Sequence, residues 1–319
     1  MNKKVVVLGG GTGLSTLLKG LKEFPVEISA IVSVSDDGKS TGRLRNEFNQ
    51  VAVGDIRRVL VALSETENMV EEILNYRFQT SSDLNGHTVG NLLLTAASDI
   101  KGNLSKGIKS LGKIFNLKGK VIPLSLDNEI TLMALMTDGS IVEGEHNITE
   151  AHKKIKRIFY KKDPIVNRDA IKAIMEADLI VLSMGSIYTS IIPNLICKEV
   201  IDAIDKSESD IMYICNIVTQ PGETDDFKAS DHINLLNSYL GCKKISVGIF
   251  NKKEMDKYLV KKYETEEQKD PVILDKENLQ NIEIIEDDLI ESKNGVFRHD
   301  TTRLGFHIFS YLLNYKKER

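Results

Sequence analysis

Val5-Val6-Val7-Leu8-Gly9-Gly10-Gly11-Thr12-Gly13-Leu14-Ser15-Thr16 decides the fold class. Four apolar residues run without polar alternation and stop at a glycine cluster. Such a run reads as a strand buried on both faces, the habit of parallel sheets. Thr12 to Glu23 then reads as a helix, with Leu14, Leu17, Leu18 and Leu21 on one stripe, ended by Pro25. Ile28 to Val34 is a second buried strand, closed by Asp36-Asp37-Gly38. Strand, glycine turn, helix and strand form a βαβ unit, whose crossover is right-handed.

The rhythm continues outward. Helical patterns cover 54–63, 69–77, 87–97 and 101–115, and strand patterns return at 177–182, 211–218, 244–250 and 282–286. Helices follow at 230–240 and 302–313, and 252–280 is charged with no strong pattern. The expected class is a Rossmann-like, doubly wound, mostly parallel α/β sheet with helices on both faces, in one domain over residues 1–319. Between residues 119 and 165 the period changes. Runs at 121–126, 131–136 and 141–145 read as short strands, with Asp138-Gly139 as a hairpin turn. This stretch reads as a small β-rich insertion. Its basic run, Lys153 to Lys162, reads as a solvated helix face before it reads as a binding site.

Composition narrows the function. The 319 residues hold 42 Lys and Arg against 46 Asp and Glu, a formal net charge of −4. That balance gives no global reason to coat nucleic acid or an anionic membrane. No apolar run nears the roughly 20 residues of a membrane span. The apolar run after Lys3 and Lys4 is too short for a signal peptide. Cys197, Cys215 and Cys242 lie far apart with no metal-ligand spacing, so they read as reduced thiols of a cytoplasmic protein.

In an open parallel sheet, ligands bind beyond the C-terminal strand ends, and several of these ends carry unusual residues. Gly10, Gly11, Thr12 and Gly13 open a helix whose unpaired N–H groups and dipole suit a phosphate. The loop lacks the third glycine of the dinucleotide fingerprint and the lysine of a Walker loop. Asp36 and Asp37 stand where ribose hydroxyls are held, or could hold Mg²⁺ with a ligand phosphate; Gly42 and Arg43 extend this loop. An Asp-Gly turn with solvated charges is the plainer alternative. Asp55 reads as a cap or, with Arg57 and Arg58, as an anion site. His87 and Asn91 flank another helix start among glycines. Gly185 and Ser186, in Gly185-Ser186-Ile187-Tyr188-Thr189-Ser190, form a hydroxyl-rich turn that is not a nucleophile elbow. Asn216 and Thr219 offer donors and acceptors to a base or sugar amide, and Arg298 would close over a phosphate, unless Asp300 to Thr302 merely cap the last helix. Taken together, these turns describe a polar cleft for a nucleotide-like polyanion.

These segments also carry a family resemblance over nearly the whole chain. Gly9 to Gly13, Asp36-Asp37-Gly38 with Gly42-Arg43-Leu44-Arg45, Gly54-Asp55-Ile56-Arg57 and Gly86-His87 with Gly90-Asn91-Leu92-Leu93 are its first half. Gly185 to Leu195 and Cys215-Asn216 with Thr219-Gln220-Pro221-Gly222-Glu223-Thr224 are its second. Jointly they resemble the YvcK branch of the CofD-like family, the gluconeogenesis factors of bacteria. The resemblance implies a cytoplasmic Rossmann-like protein that binds nucleotide sugars of the UDP-N-acetylglucosamine type. It also implies a regulatory role in cell shape and envelope synthesis during gluconeogenic growth, with a homo-oligomer or a protein partner in cell-wall synthesis as expected associates. CofD itself is a Mg²⁺-dependent 2-phospho-lactate transferase, and Asp36 and Asp37 match its acidic position. Lys39 stands where a second glycine or small residue is expected. A transferase in which His87 serves as acid or base is therefore the rival expectation; a nicotinamide dehydrogenase is a weaker third.

Overall fold

The structure, a computed structural model, describes residues 2–65, 68–293 and 296–314. Among the described residues, twelve strands form: β1 (Lys3–Gly9), β2 (Val26–Val32), β3 (Lys120–Pro123), β4 (Leu132–Met136), β5 (Ile141–Glu143) and β6 (Ile155–Tyr160), then β7 (Leu179–Leu182), β8 (Asp210–Ile214), β9 (Val247–Asn251), β10 (Glu283–Asp287), β11 (Ile290–Lys293) and β12 (Val296–His299). The main sheet has seven strands in the order β10-β9-β8-β7-β1-β2-β3, every pair parallel. Its strand order reverses at the β1–β7 pair, since β2 and β3 extend one way and β8 to β10 the other. This is the doubly wound α/β fold that the first apolar run announces.

The reason lies in the residues. Val5 to Leu8 and Leu179 to Leu182 are at most 2% exposed, so both faces of these central strands are covered. The helix Gly11–Leu21 buries Leu14, Leu17, Leu18 and Leu21 completely, each contributing roughly 2 kcal/mol of apolar burial. It packs against the helices Gly54–Leu63 and Thr301–Asn314.

Several details differ from what the sequence suggests. Lys120–Pro123 does not belong to the β-rich insertion: it pairs in parallel with β2 as the last strand of the main sheet. Its continuous apolar run fits that place, and the separate antiparallel sheet is β5-β4-β6 alone. The basic run 153–162 is not a helix face either. Most of it is β6, which buries Ile155, Ile158 and Tyr160 and exposes Lys156 and Arg157. The pattern is broken near a register shift at Leu135/Met136, which hides the strand period from the sequence. The turn at Asp138-Gly139 does join β4 to β5, with Gly139 left-handed at φ 85°. The β11–β12 hairpin carries no clear alternation and was not anticipated.

The insertion is stitched to the core by side chains. The Tyr160 hydroxyl donates to the Pro193 carbonyl at 2.9 Å, and the Arg45 guanidinium donates to the carbonyls of Ile130 and Asn128 at 2.6 and 3.2 Å.

The closest helix crossing supplies a stability test. A Cβ at Gly20 would stand 1.8 Å from the carbonyl oxygen of Thr301 and 2.3 Å from its carbon, both backbone atoms. Gly20→Ala is expected to destabilise the protein by about 3 kcal/mol despite the better helix propensity of alanine. Gly112→Ala meets only the tip of Leu117, at 3.0 Å, and should stay within about 1 kcal/mol of wild type. Urea unfolding of both variants checks this contrast.

Candidate functional site

A cleft of about 660 Å³ opens where the segments following β1, β7 and β8 meet. It gathers Thr12, Gly13, Gly185, Ser186, Asn216, Thr219 and Arg298 from the candidates named above. The strand-order reversal places the first four beside one another, because β1 and β7 are neighbours.

The glycines here make room for protein as much as for ligand. A Cβ at Gly13 would lie 1.8 Å from the Met184 carbonyl oxygen, and one at Gly9 would lie 2.1 Å from Ser183 Oγ. A Cβ at Gly10 would meet Ser33 Oγ at 2.4 Å. At Gly13 the loops after β1 and β7 thus meet backbone against backbone, while Gly9 and Gly10 make room for serine side chains. Gly185 sits at φ 137°, which an L side chain rarely adopts, and Asn216 holds it there. The Asn216 amide donates to the Gly185 carbonyl at 2.7 Å and accepts from the Gly185 N–H at 2.9 Å. Thr219 is similarly engaged, its hydroxyl oxygen accepting from the Asp270 N–H at 2.8 Å. Both residues line the cleft while bracing its loops.

Ser186 donates to Glu223 at 2.5 Å and accepts from the Thr189 N–H and hydroxyl at 3.0 and 2.8 Å. Gln220 donates to the other Glu223 oxygen at 2.7 Å. Arg298 is exposed at the cleft and has no carboxylate partner among the described residues. Lys269, also on the wall, is paired with Glu267 at 2.7 Å.

Gly10, Gly11, Asp36, Asp37, Arg43, His87 and Asn91 do not line this cleft. They belong to a neighbouring polar region. Asp36 accepts from the Gly38 N–H at 2.9 Å and the Thr41 hydroxyl at 3.0 Å, and Asp37 accepts from the His146 N–H at 2.9 Å. His87 Nδ1 and the Asn91 amide both meet Ser40 Oγ, at 3.2 and 3.3 Å, in a buried cluster. Arg43 is exposed and reaches the Asn85 carbonyl at 3.3 Å. Arg57 is buried against Gly90 and bonded to Asn75, which makes it a packing residue.

Asp55 does not cap its own helix: it lies in the first turn of the helix Gly54–Leu63, whose N-cap position is Val53 with no side-chain cap bond. It is 5% exposed, pairs with Arg58 at 2.6 Å and takes a hydrogen bond from the Gly11 backbone, so a carboxylate already meets the start of the glycine-loop helix. Burial, and next the charge of Asp36, push it up to about 6. Glu145, from the insertion, is pushed well above the usual carboxylate range by burial and by Asp55, Asp36, Asp37 and Glu223. Its Oε2 is buried without a partner. Among the described residues, however, no group of three or more His, Cys, Asp or Glu side chains is disposed to hold a metal ion. Both Asp36 oxygens are engaged by protein donors. Asp36 and Asp37 alone therefore do not make a complete Mg²⁺ site; a ligand phosphate and water would have to complete it.

The sequence reading passed over several wall residues. Thr149 and His152 come from the insertion, Lys269 from the featureless charged stretch, and Phe297 from the unforeseen hairpin. Thr149, His152 and Lys269 carry no motif, and only the tertiary fold brings them to the cleft; Phe297 has one local signal, the Asn294-Gly295 dipeptide that favours a two-residue hairpin turn. His299 lies between Arg298 and the Asp300 to Thr302 segment, and its local sequence gives it no role.

The buried Glu223 generates a pH prediction. Burial pushes its carboxyl up to about 7, against hydrogen bonds from Ser186 and the Tyr188 backbone that favour the charged form. The unfolded glutamate titrates near 4.3, so between these values the folded state holds the extra proton. Stability from this group is full below the unfolded value and is lost as pH rises through about 7. Urea unfolding should show Glu223→Gln flattening the loss between pH 5 and pH 8 by about 1–3 kcal/mol. Parallel pH profiles for wild type and variant would contradict this assignment.

Comparison with known proteins places these features. The family described as 2-phospho-L-lactate transferase CofD matches residues 5–290. The gluconeogenesis factor of Bacillus subtilis is 43% identical over 306 residues, covering 94% of this chain and 95% of that protein. That of Halalkalibacterium halodurans is 43% identical over 305 residues, covering 95% and 94%. A crystal structure of a Bacillus halodurans protein superposes with a TM-score of 0.92 at 42% identity, over 97% of this chain and 99% of that one. No helix among the described residues is long and apolar enough to cross a membrane. With the sheet order, the strand-end loops and these matches in agreement, the chain belongs to the CofD family, in its gluconeogenesis-factor branch.

Proposed function

We propose that the cleft binds a nucleotide sugar of the UDP-N-acetylglucosamine type and that the protein is a cytoplasmic regulator of precursor flow into the cell envelope. Through that binding it supports cell shape during growth on gluconeogenic carbon sources, with a protein partner in cell-wall synthesis and a homo-oligomer as its expected associates. One observation carries the ligand class: Arg298, a cation with no carboxylate partner among the described residues, shares one cleft with the N-terminus of the helix Gly11–Leu21. A guanidinium and a set of helix N–H groups together suit a diphosphate. The cleft volume of about 660 Å³ is in the range of small-molecule sites.

A second reading is a transferase of the 2-phospho-lactate type. It is favoured by the description of the matching family and by the carboxylates raised toward neutrality at Asp55 and Glu145. It also requires Mg²⁺, for which Asp36 and Asp37 are not arranged with a third ligand among the described residues. Binding is the reading that Arg298 and the helix N-terminus in one cleft support.

Calorimetric titration with UDP-N-acetylglucosamine tests it. Saturable heat is expected from wild type, and Arg298→Ala should weaken binding by about tenfold or more with the unfolding midpoint unchanged. Absence of heat at millimolar ligand from folded protein rejects the reading. Product detected by mass spectrometry after incubation with Mg²⁺ and nucleoside diphosphate derivatives would transfer support to the transferase.

A further inference from the structure

His299 ends β12 and lines the cleft beside Arg298. Its Nε2 lies 3.1 Å from the carbonyl oxygen of Cys215. A carbonyl only accepts, so Nε2 carries the proton. Burial pushes the imidazole down to about 4, leaving the ring neutral and Nδ1 a bare lone pair at physiological pH. Nδ1 has no protein partner among the described residues and is not sealed from solvent, and the ring to which it belongs lines the cleft.

Three polar side chains of the same cleft are occupied elsewhere. Asn216 clamps Gly185 through both ends of its amide, Thr219 accepts from Asp270, and Gln220 donates to Glu223. The ring is also held in one orientation, because its other nitrogen is tied to the β8 terminus through Cys215. A fixed acceptor without a proton of its own is a selective element. It gains a hydrogen bond from a ligand donor and opposes a ligand acceptor, and the difference exceeds the worth of the bond alone.

We infer that His299 is a specificity-determining residue of this cleft, receiving at Nδ1 an N–H or O–H donor of the ligand whose anionic part meets Arg298. The inference rests on the nucleotide-sugar reading and adds to it the polarity of one contact. A ligand presenting an acceptor at that place meets a lone pair and is disfavoured.

The experiment combines calorimetry with nitrogen NMR. Wild type, His299→Phe and His299→Asn are titrated with UDP-N-acetylglucosamine, and the ¹⁵N resonances of the His299 ring are recorded in wild type with and without it. His299→Phe should bind about tenfold or more weakly. His299→Asn keeps an oxygen acceptor at the δ position and should recover most of that loss. In wild type the Nδ1 resonance should move toward the hydrogen-bonded range on binding, while Nε2 keeps its proton. Wild type that binds the ligand with an unmoved Nδ1 resonance overturns the inference and leaves the nucleotide-sugar reading standing. Wild type that binds no nucleotide sugar removes the reading itself. Should His299→Phe fail to fold, the wild-type resonance decides.

Discussion

Backbone-to-backbone contact between the glycine loop after β1 and the Met184-Gly185 turn after β7 is the constraint on which the rest depends. Gly9, Gly10 and Gly13 each stand where a Cβ would overlap Ser183, Ser33 or the Met184 carbonyl. The close approach brings the start of the helix Gly11–Leu21 and the Ser186 turn to one cleft wall. Asn216 then fixes Gly185 from the next strand, so three successive strand ends are coupled before any ligand arrives. A site built in this way is preorganised, and its loops need little ordering on binding.

The electrostatics divide the strand-end edge into two parts. One is the cleft, where Arg298 has no carboxylate partner among the described residues. The other is a carboxylate-rich region of Asp36, Asp37, Asp55 and Glu145, in which burial and mutual repulsion raise Asp55 and Glu145. The acidic region is not idle charge. Asp55 receives the Gly11 N–H, Asp36 orders the loop to Thr41, and Asp37 reaches across to the insertion at His146. Asp36 and Asp37 hold the surroundings of the glycine loop in shape through hydrogen bonds, and Asp55 does so through the Gly11 N–H and its ion pair with Arg58.

Much of the architecture was legible in the sequence because buried parallel strands are short, continuous and apolar, as at Val5 to Leu8 and Leu179 to Leu182. The strand-end logic also pointed to Thr12, Gly13, Gly185, Ser186, Asn216, Thr219 and Arg298, which do share a cleft. What stayed hidden depends on tertiary placement. Thr149 and His152 reach the cleft from the insertion, and nothing in their local sequence announces it. Glycines read as space for a ligand turned out to admit a neighbouring loop, because a small residue looks the same in either use. The run 153–162 misled for a related reason: its lysines mask the buried positions Ile155, Ile158 and Tyr160, whose spacing is broken near a register shift.

The same basic run has a consequence for behaviour at high concentration. β6 is one of the two outer strands of the small antiparallel sheet, and an outer strand presents unpaired peptide groups to any passing chain. Here the Ile158 N–H is covered by the Tyr239 hydroxyl at 3.2 Å, while Lys156 and Arg157 project into solvent. Covered hydrogen-bonding capacity and like charge together keep two molecules from zipping into a shared sheet. The lysines that look like a docking patch thus act as gatekeepers of solubility.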